Sequence, residues 1–392
     1  MASYIPFVNT KKDCNILKLF YSDAEIARVS LESIDRIKAY LPQNISLWLD
    51  AGIDGYEHCL KKTTNPLPSY SQAFEEREIL SDPDFIKKPN PDKIKLFINS
   101  VMTKCLKYNP KCITVPQLPI VENTSRNKIN SLLSKATFQW KTENHYDGGF
   151  VFPVIFTHKD QLNNKTTWRP IIDRAIKRYY NSGAIGIWMV DSNLSDQQGT
   201  GTFKDRFPAL IQLHAYLKKE VKNTPIIAGP YWGLNLILWA KGLCSSPAIS
   251  LGAGYQYHLA GGFKHKGKSR MVIPPLKRCA VTSPELRTWF NDAIQSLNSQ
   301  DKVRSELQNL LGEFNDRLFL SNEDANRRQV ARFYKNWLDE IEETPSVGRS
   351  LALYQDFSSA YVLGKQLPTL PRSGSSASRP ERVAEIFMLN CL

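Results

Sequence analysis

The sequence predicts a (β/α)8 barrel, with a doubly wound open α/β sheet as the alternative. Three observations lead there. Short β-branched or aromatic runs alternate with longer stretches of helical periodicity. The alternation recurs about eight times within roughly the first 300 residues, the length of a barrel domain. The strand-like runs are apolar on both faces, as strands of a buried parallel sheet are.

Taken in order, YIPFV at 4–8 reads as the first strand. AEIARVSLESIDRIKAYL, from position 24, has apolar residues at helical spacing and reads as the helix after it. ISLWLD at 45–50 is the second strand, followed by a polar insertion near 61–91 and the helix DKIKLFINSVMTKCLKY. CITVPQ at 112–117 is the third, before TSRNKINSLLSKA, whose Thr and Ser suit a helix cap. GFVFPVIFTH at 149–158 and AIGIWMVDSN at 184–193 are the fourth and fifth, each with a helical segment behind it. PIIAG at 225–229 and AISLG at 248–252 are the sixth and seventh, and RMVIPP at 270–275 is the eighth. The helix SPELRTWFNDAIQSL then opens on Ser283 with Pro at its first position. The expected organisation is a barrel over 1–300, a helical extension over 301–363, and a flexible tail with a short terminal helix over 364–392.

Lys and Arg number 51 against 38 Asp and Glu, a formal charge of +13 that favours an anionic partner such as nucleic acid or a nucleotide. Seven cysteines, an odd number without CxxC spacing, point to a reduced, cytoplasmic chain. The opening MASYIPFVNTKKD lacks a basic region followed by an apolar one, so no signal peptide is expected. Residues 225–243 are too interrupted by Gly, Pro and Asn to span a membrane, and no membrane partner is expected. The six histidines show neither HxxxH nor HExxH, so no metal and no cofactor are expected.

In such a barrel the working residues lie at the carboxyl ends of strands. Asp50 and Asp191 hold that position and form a candidate catalytic pair, as acid and base or as nucleophile and base. Gln117 and His158 end the third and fourth strands as candidate substrate contacts. Tyr231 and Trp232, in GPYWG, could stack a base or sugar. The stretch SLGAGYQYHLAGGFKHKGKSR, read as following the seventh strand, combines glycines with charge. Gly252, Gly254, Tyr255 and Gln256 would meet the substrate, and Lys264, His265, Lys266, Lys268 and Arg270 its phosphates.

Two fragments resemble the tRNA-guanine and DNA 7-deazaguanine transglycosylase superfamily. LWLDAGIDGY is similar to its DSGGFQ-type motif, with Asp50 in the general-base position and Gly52 as one of the glycines. RMVIPPLKR is similar, through Val272, Ile273 and Pro274, to a V-L-P-T-R segment that follows the family's nucleophilic Asp, and SLGAG to its base-contacting glycine loop. The resemblance implies a (β/α)8 barrel that exchanges a base in nucleic acid. It covers about 40 residues. The sequence departs from the family in having Arg270 near the nucleophile position and no CxCxxC zinc cluster. The departures leave Asp191 as the substitute nucleophile, or a chain that binds without exchanging.

The leading expectation is therefore a barrel protein directed at nucleic acid or nucleotides, performing base exchange or glycosidic-bond chemistry through Asp carboxylates. The alternatives are a non-catalytic nucleic-acid-binding subunit of a defence or DNA-modification complex, and a hydrolase or lyase for a small phosphorylated metabolite. The C-terminal helical region is the expected surface for a protein partner.

Overall fold

The computed structural model describes residues 4–52, 88–120, 124–156, 165–191, 201–251, 270–315, 323–371 and 379–392. Eight parallel strands form a closed barrel: β1 (Ile5–Val8), β2 (Ile26–Ser30), β3 (Ser46–Asp50), β4 (Cys112–Thr114), β5 (Gly149–Phe156), β6 (Gly186–Asp191), β7 (Ile226–Ala228) and β8 (Ser246–Ser250). Closure is made by β1 against β8, with Phe7 paired to Ser250. Helices α1 (Lys11–Phe20), α2 (Leu31–Ile37), α3 (Pro91–Leu106), α4 (Thr124–Glu143), α5 (Lys165–Ser182), α6 (Gly201–Glu220) and α7 (Leu234–Ala240) follow β1 to β7 in turn. The architecture is a (β/α)8 barrel with further helices after it.

Two strands differ from the sequence reading. Residues 26–30 form β2, where a helix was expected, and the helix α2 begins only at Leu31. Ile26 and Val29 fit a helical stripe with Leu31 and Ile34, and Arg28 disguises the run because it is buried inside the barrel. Residues 270–273 are not the eighth barrel strand. They form β9 (Arg270–Ile273), antiparallel to β10 (Arg278–Val281), in a two-stranded sheet outside the barrel. The turn between them is a short 3-10 segment, Pro274–Leu276, closed by Lys277 at φ 48°. The run AISLG therefore supplies the eighth strand, and SLGAGYQYHLAGGFKHKGKSR follows β8.

Side chains alternate between the barrel interior and the helix layer. Phe7, Trp48 and Trp188 come from β1, β3 and β6, yet their rings meet edge to face at centroid distances of 5.4–5.7 Å. Only the interior lets three non-adjacent strands do this. Trp48 donates its indole N–H to Thr114 Oγ1 at 2.9 Å, and Trp188 to the Gly229 carbonyl at 2.7 Å. Both polar handles of this plug are thus satisfied. On β5 the phase runs the other way. Phe150 and Phe152 face outward onto Trp140 of α4 and Tyr179 of α5. Pro153, in register with Trp188, is inward and small enough to leave that ring room.

The helix expected after β8 comes from far along the chain. The hairpin β9–β10 leads into α8 (Pro284–Ser296) and α9 (Lys302–Asn315), and then α10 (Glu323–Glu343) returns to the barrel. Tyr21, just past α1, donates to the Ala331 carbonyl of α10 at 3.1 Å. Tyr334 of α10 donates to Asn235 Oδ1 of α7 at 2.6 Å, and Asn235 donates to the Ala248 carbonyl of β8. Asp13 of α1 closes a capping box with Thr10 and also pairs with Arg327 of α10 at 3.3 Å. Contacts to both α1 and α7 put α10 in the place of the eighth helix. Gln329 exchanges two hydrogen bonds with the backbone of Val272, which fastens β9 to the same helix.

A smaller apolar core joins β9, β10, α8 and α9 through Met271, Ile273, Leu286, Trp289, Phe290 and Phe314. The last helices, α11 (Arg349–Gln366) and α12 (Glu381–Cys391), rest on the barrel core through Phe357 and Phe387. They cross so tightly that a Cβ at Gly364 would come within 2.6 Å of the Glu381 backbone. No helix among the described residues is long and apolar enough to cross a membrane.

Trp188→Ala is expected to cost about 3–5 kcal/mol in urea unfolding, from the lost burial and the cavity left behind. Tyr180→Ala, on a side chain 61% exposed, should stay within about 0.5 kcal/mol. His214 of α6 is fully buried, and neither ring nitrogen makes a hydrogen bond of good geometry. Burial pushes it down to about 3, so the ring is neutral in the fold. The unfolded chain takes up a proton near pH 6.5 that the native state refuses until about pH 3. Stability should therefore be full above about pH 6.5 and decline on acidification toward pH 3, and His214→Leu should flatten that decline in pH-dependent melting.

Candidate functional site

The carboxyl ends of the strands define the mouth, and strand phase decides which side chains enter it. Trp48 faces inward, so Asp50, two positions on, does too. Asp50 is 2% exposed and is ion-paired with the Arg28 guanidinium of β2, itself 5% exposed. Arg28 lies 4.8 Å from the Phe7 ring centroid and 5.4 Å from that of Trp188. The cation is thus held between the aromatic plug and the carboxylate above it. The other carboxylate oxygen, Oδ1, accepts the Gly52 N–H at 3.1 Å. Gly52 sits at φ 69°, a conformation that glycine adopts without strain, and it lets the backbone turn back onto the carboxylate. Asp50, Ala51, Thr114, Pro116, Pro153 and Ile155 line a closely packed cleft at this end of the barrel. The register also puts Ser30, beside Asp50, and Ser250, beside Phe7, on the inner face.

Asp191 has the opposite phase. Trp188 is inward, so Asp191, three positions on, points toward the helix layer. There its Oδ2 accepts from Arg206 of α6, through Nε at 2.8 Å and through a second guanidinium nitrogen. Both residues are almost wholly buried. The backbone N–H of Asp191 donates to the Tyr231 hydroxyl at 2.6 Å. Burial, and then the nearby Asp191 charge, raises the Tyr231 phenol well above its ordinary value. Asp50 and Asp191 therefore do not face one another across the mouth. One belongs to the interior of the barrel and the other to a buried ion pair between barrel and helix.

Gln117 is also committed to the scaffold. Its amide N–H2 donates to the Pro116 and Asn130 carbonyls and to Ser134 Oγ, which fastens the segment after β4 onto α4. Asn130 completes the staple by exchanging two hydrogen bonds with the backbone of Leu118. Trp232 is 1% exposed. Its ring lies against Phe333, Tyr334 and Trp337 of α10, and its N–H donates to the Lys277 carbonyl at 2.9 Å. Protein side chains already occupy the surface on which a base would stack. Arg270 opens β9, in the hairpin outside the barrel. His158, Gly252, Gly254, Tyr255, Gln256, Lys264, His265, Lys266 and Lys268 lie outside the described residues. Among the described residues, no group of three His, Cys, Asp or Glu side chains could hold a metal ion.

The residues that sequence reasoning missed are the two arginines. Arg28 was hidden by the helical reading of 24–41. Arg206 sits on α6, and no local pattern marks it as the partner of Asp191. The phase of WMVD, with Trp188 inward, was the one signal that could have separated Asp191 from Asp50.

No protein-family model matches this chain, and no curated protein matches it. Among solved structures, a probable tagatose 6 phosphate kinase from Sinorhizobium meliloti 1021 aligns over 98% of this chain and 97% of its own, at 10% identity and a TM-score of 0.33. A superposition that loose carries no argument about this chain's fold or chemistry.

Arg206→Met should destabilise the fold by about 3–5 kcal/mol, because it strips the guanidinium from a buried carboxylate. Adding Asp191→Leu should recover most of that loss, as read by denaturant melts of the single and double variants.

Proposed function

We propose that the protein is a barrel enzyme whose chemistry is carried by Asp50, acting on a base or sugar of a nucleotide or nucleic acid. The observation that carries the reading is the inward phase of Asp50 and its ion pair with Arg28. A buried ion pair is no better for stability than a well-packed apolar pair of similar size. Unlike the pair of Asp191 and Arg206, this pair stands on the inner face of the barrel, with Asp50 at the carboxyl end of its strand, where barrels carry their chemistry. In this reading Asp50 is the base or nucleophile, and Arg28 balances its charge and orients it. Asp191, in its pair with Arg206, supports the scaffold and takes no part in the reaction.

The net charge of +13 supports an anionic substrate. The basic run 264–270 follows the last barrel strand, and loops after the seventh and eighth strands are where barrels commonly hold phosphate. The resemblance of LWLDAGIDGY to a transglycosylase motif supports base exchange as the reaction class.

The test combines binding and turnover. DNA and RNA oligonucleotides should bind at 50 mM salt and lose at least about tenfold in affinity by 200 mM, as counterions are released. Release or exchange of a labelled base should fall by about 10²–10⁴-fold in Asp50→Asn while binding persists. Binding that ignores salt would argue for a small metabolite instead. Turnover unchanged in Asp50→Asn would end the catalytic assignment.

A further inference from the structure

Among the described residues four arginines are buried: Arg28 is paired with Asp50, Arg206 with Asp191, and Arg278 donates to the Arg379 carbonyl. Arg178 is the fourth. It lies on α5, facing α4, and is 3% exposed. Its described partner is neutral, Asn127 Oδ1 at 3.1 Å. One helical turn earlier on the same face stands Arg174, a second cation. The Nε atoms of both arginines are buried and meet no acceptor. Among the described residues no carboxylate forms an ion pair with either. Burial and the adjacent Arg174 charge together pull Arg178 down to about 10.

A buried guanidinium beside a second, partly exposed one, each with an idle, buried Nε–H donor, is unfavourable unless an anion joins them. Their planar forks match the oxygens of a phosphoryl group, which can accept from both at once. We propose that Arg174, Arg178 and Asn127 form an anion site between α4 and α5 that takes a phosphoryl group. The site is separate from the Asp50 mouth: it lies in the helix layer, beside the segment that Gln117 and Asn130 staple to α4. The phosphoryl group is either free inorganic phosphate or a monoester carried on a larger molecule.

The experiment is thermal melting of the full chain at constant ionic strength and pH 7.5, in chloride, in inorganic phosphate, and in adenosine monophosphate. A rise of about 2–5 °C is expected with a bound anion. A rise with inorganic phosphate assigns a free-ion site, and a rise with the nucleotide alone assigns a monoester site. Arg178→Met should abolish the rise and, because it removes an uncompensated charge, should melt no lower than the native chain in chloride. If Arg178→Met does not fold, Arg174→Gln, on a partly exposed side chain, must diminish the rise. Dependence of the rise on Arg178 and Arg174, which lie in the helix layer and not at the mouth, separates this site from the Asp50 cleft. No rise with either anion, or a rise that survives the arginine substitution that folds, overturns the proposal.

Discussion

The interior of this barrel is organised around one buried cation. Arg28 enters from β2 at the level of the aromatic plug, and everything near it adjusts to its charge. Phe7 and Trp188 offer it ring faces, and Asp50 supplies the opposite charge. Trp48, one register step away, is held by Thr114 and packs edge to face against both other rings. An apolar residue at position 28 would fill the same space without demanding a carboxylate at the end of β3. The charge makes that demand, because a lone guanidinium in such surroundings is costly. The charges of Arg28 and Asp50 each depend on the other.

Strand phase then sorts the rest of the mouth. Asp50 and Asp191 look alike in sequence, each closing an apolar run that contains a tryptophan. They differ by one step in their spacing from that inward tryptophan: two residues in LWLD from Trp48 to Asp50, three in WMVD from Trp188 to Asp191. An odd step crosses the sheet. The same arithmetic sends Phe150 and Phe152 to the helix layer and leaves the interior of β5 to smaller side chains. The two acidic residues accordingly meet different arginines, on a strand and on a helix.

The alternation of strand and helix was legible because parallel strands buried on both faces leave dense apolar runs. The barrel class followed from that alternation. The membership of the barrel was less legible. IARVS escaped because a buried arginine breaks the apolar signal and its neighbours continue into a true helix. RMVIPP was misplaced because a hairpin strand buried in a second core is as apolar as a barrel strand. Asp50 could be found because a strand end is a sequence position. Its dependence on Arg28, the pairing of Asp191 with Arg206, and the enclosure of Trp232 by α10 are contacts between distant segments, which no local window contains.

The use of α10 as the eighth helix has a bearing on how the molecule is made. On the ribosome the strands emerge in order, and β8 is complete by Ser250. The helix that seals the seam between α1 and α7 follows only after the hairpin, α8 and α9 have been synthesised. The hydrogen bond from Tyr21 to Ala331 spans 310 positions. Contacts of such separation are slow to form, because a long stretch of chain must first be brought round. Until it arrives, the faces of α1 and α7 that α10 packs against lack the helix that covers them in the folded chain. The two hydrogen bonds between Gln329 and the backbone of Val272 then tie the hairpin to the closing helix.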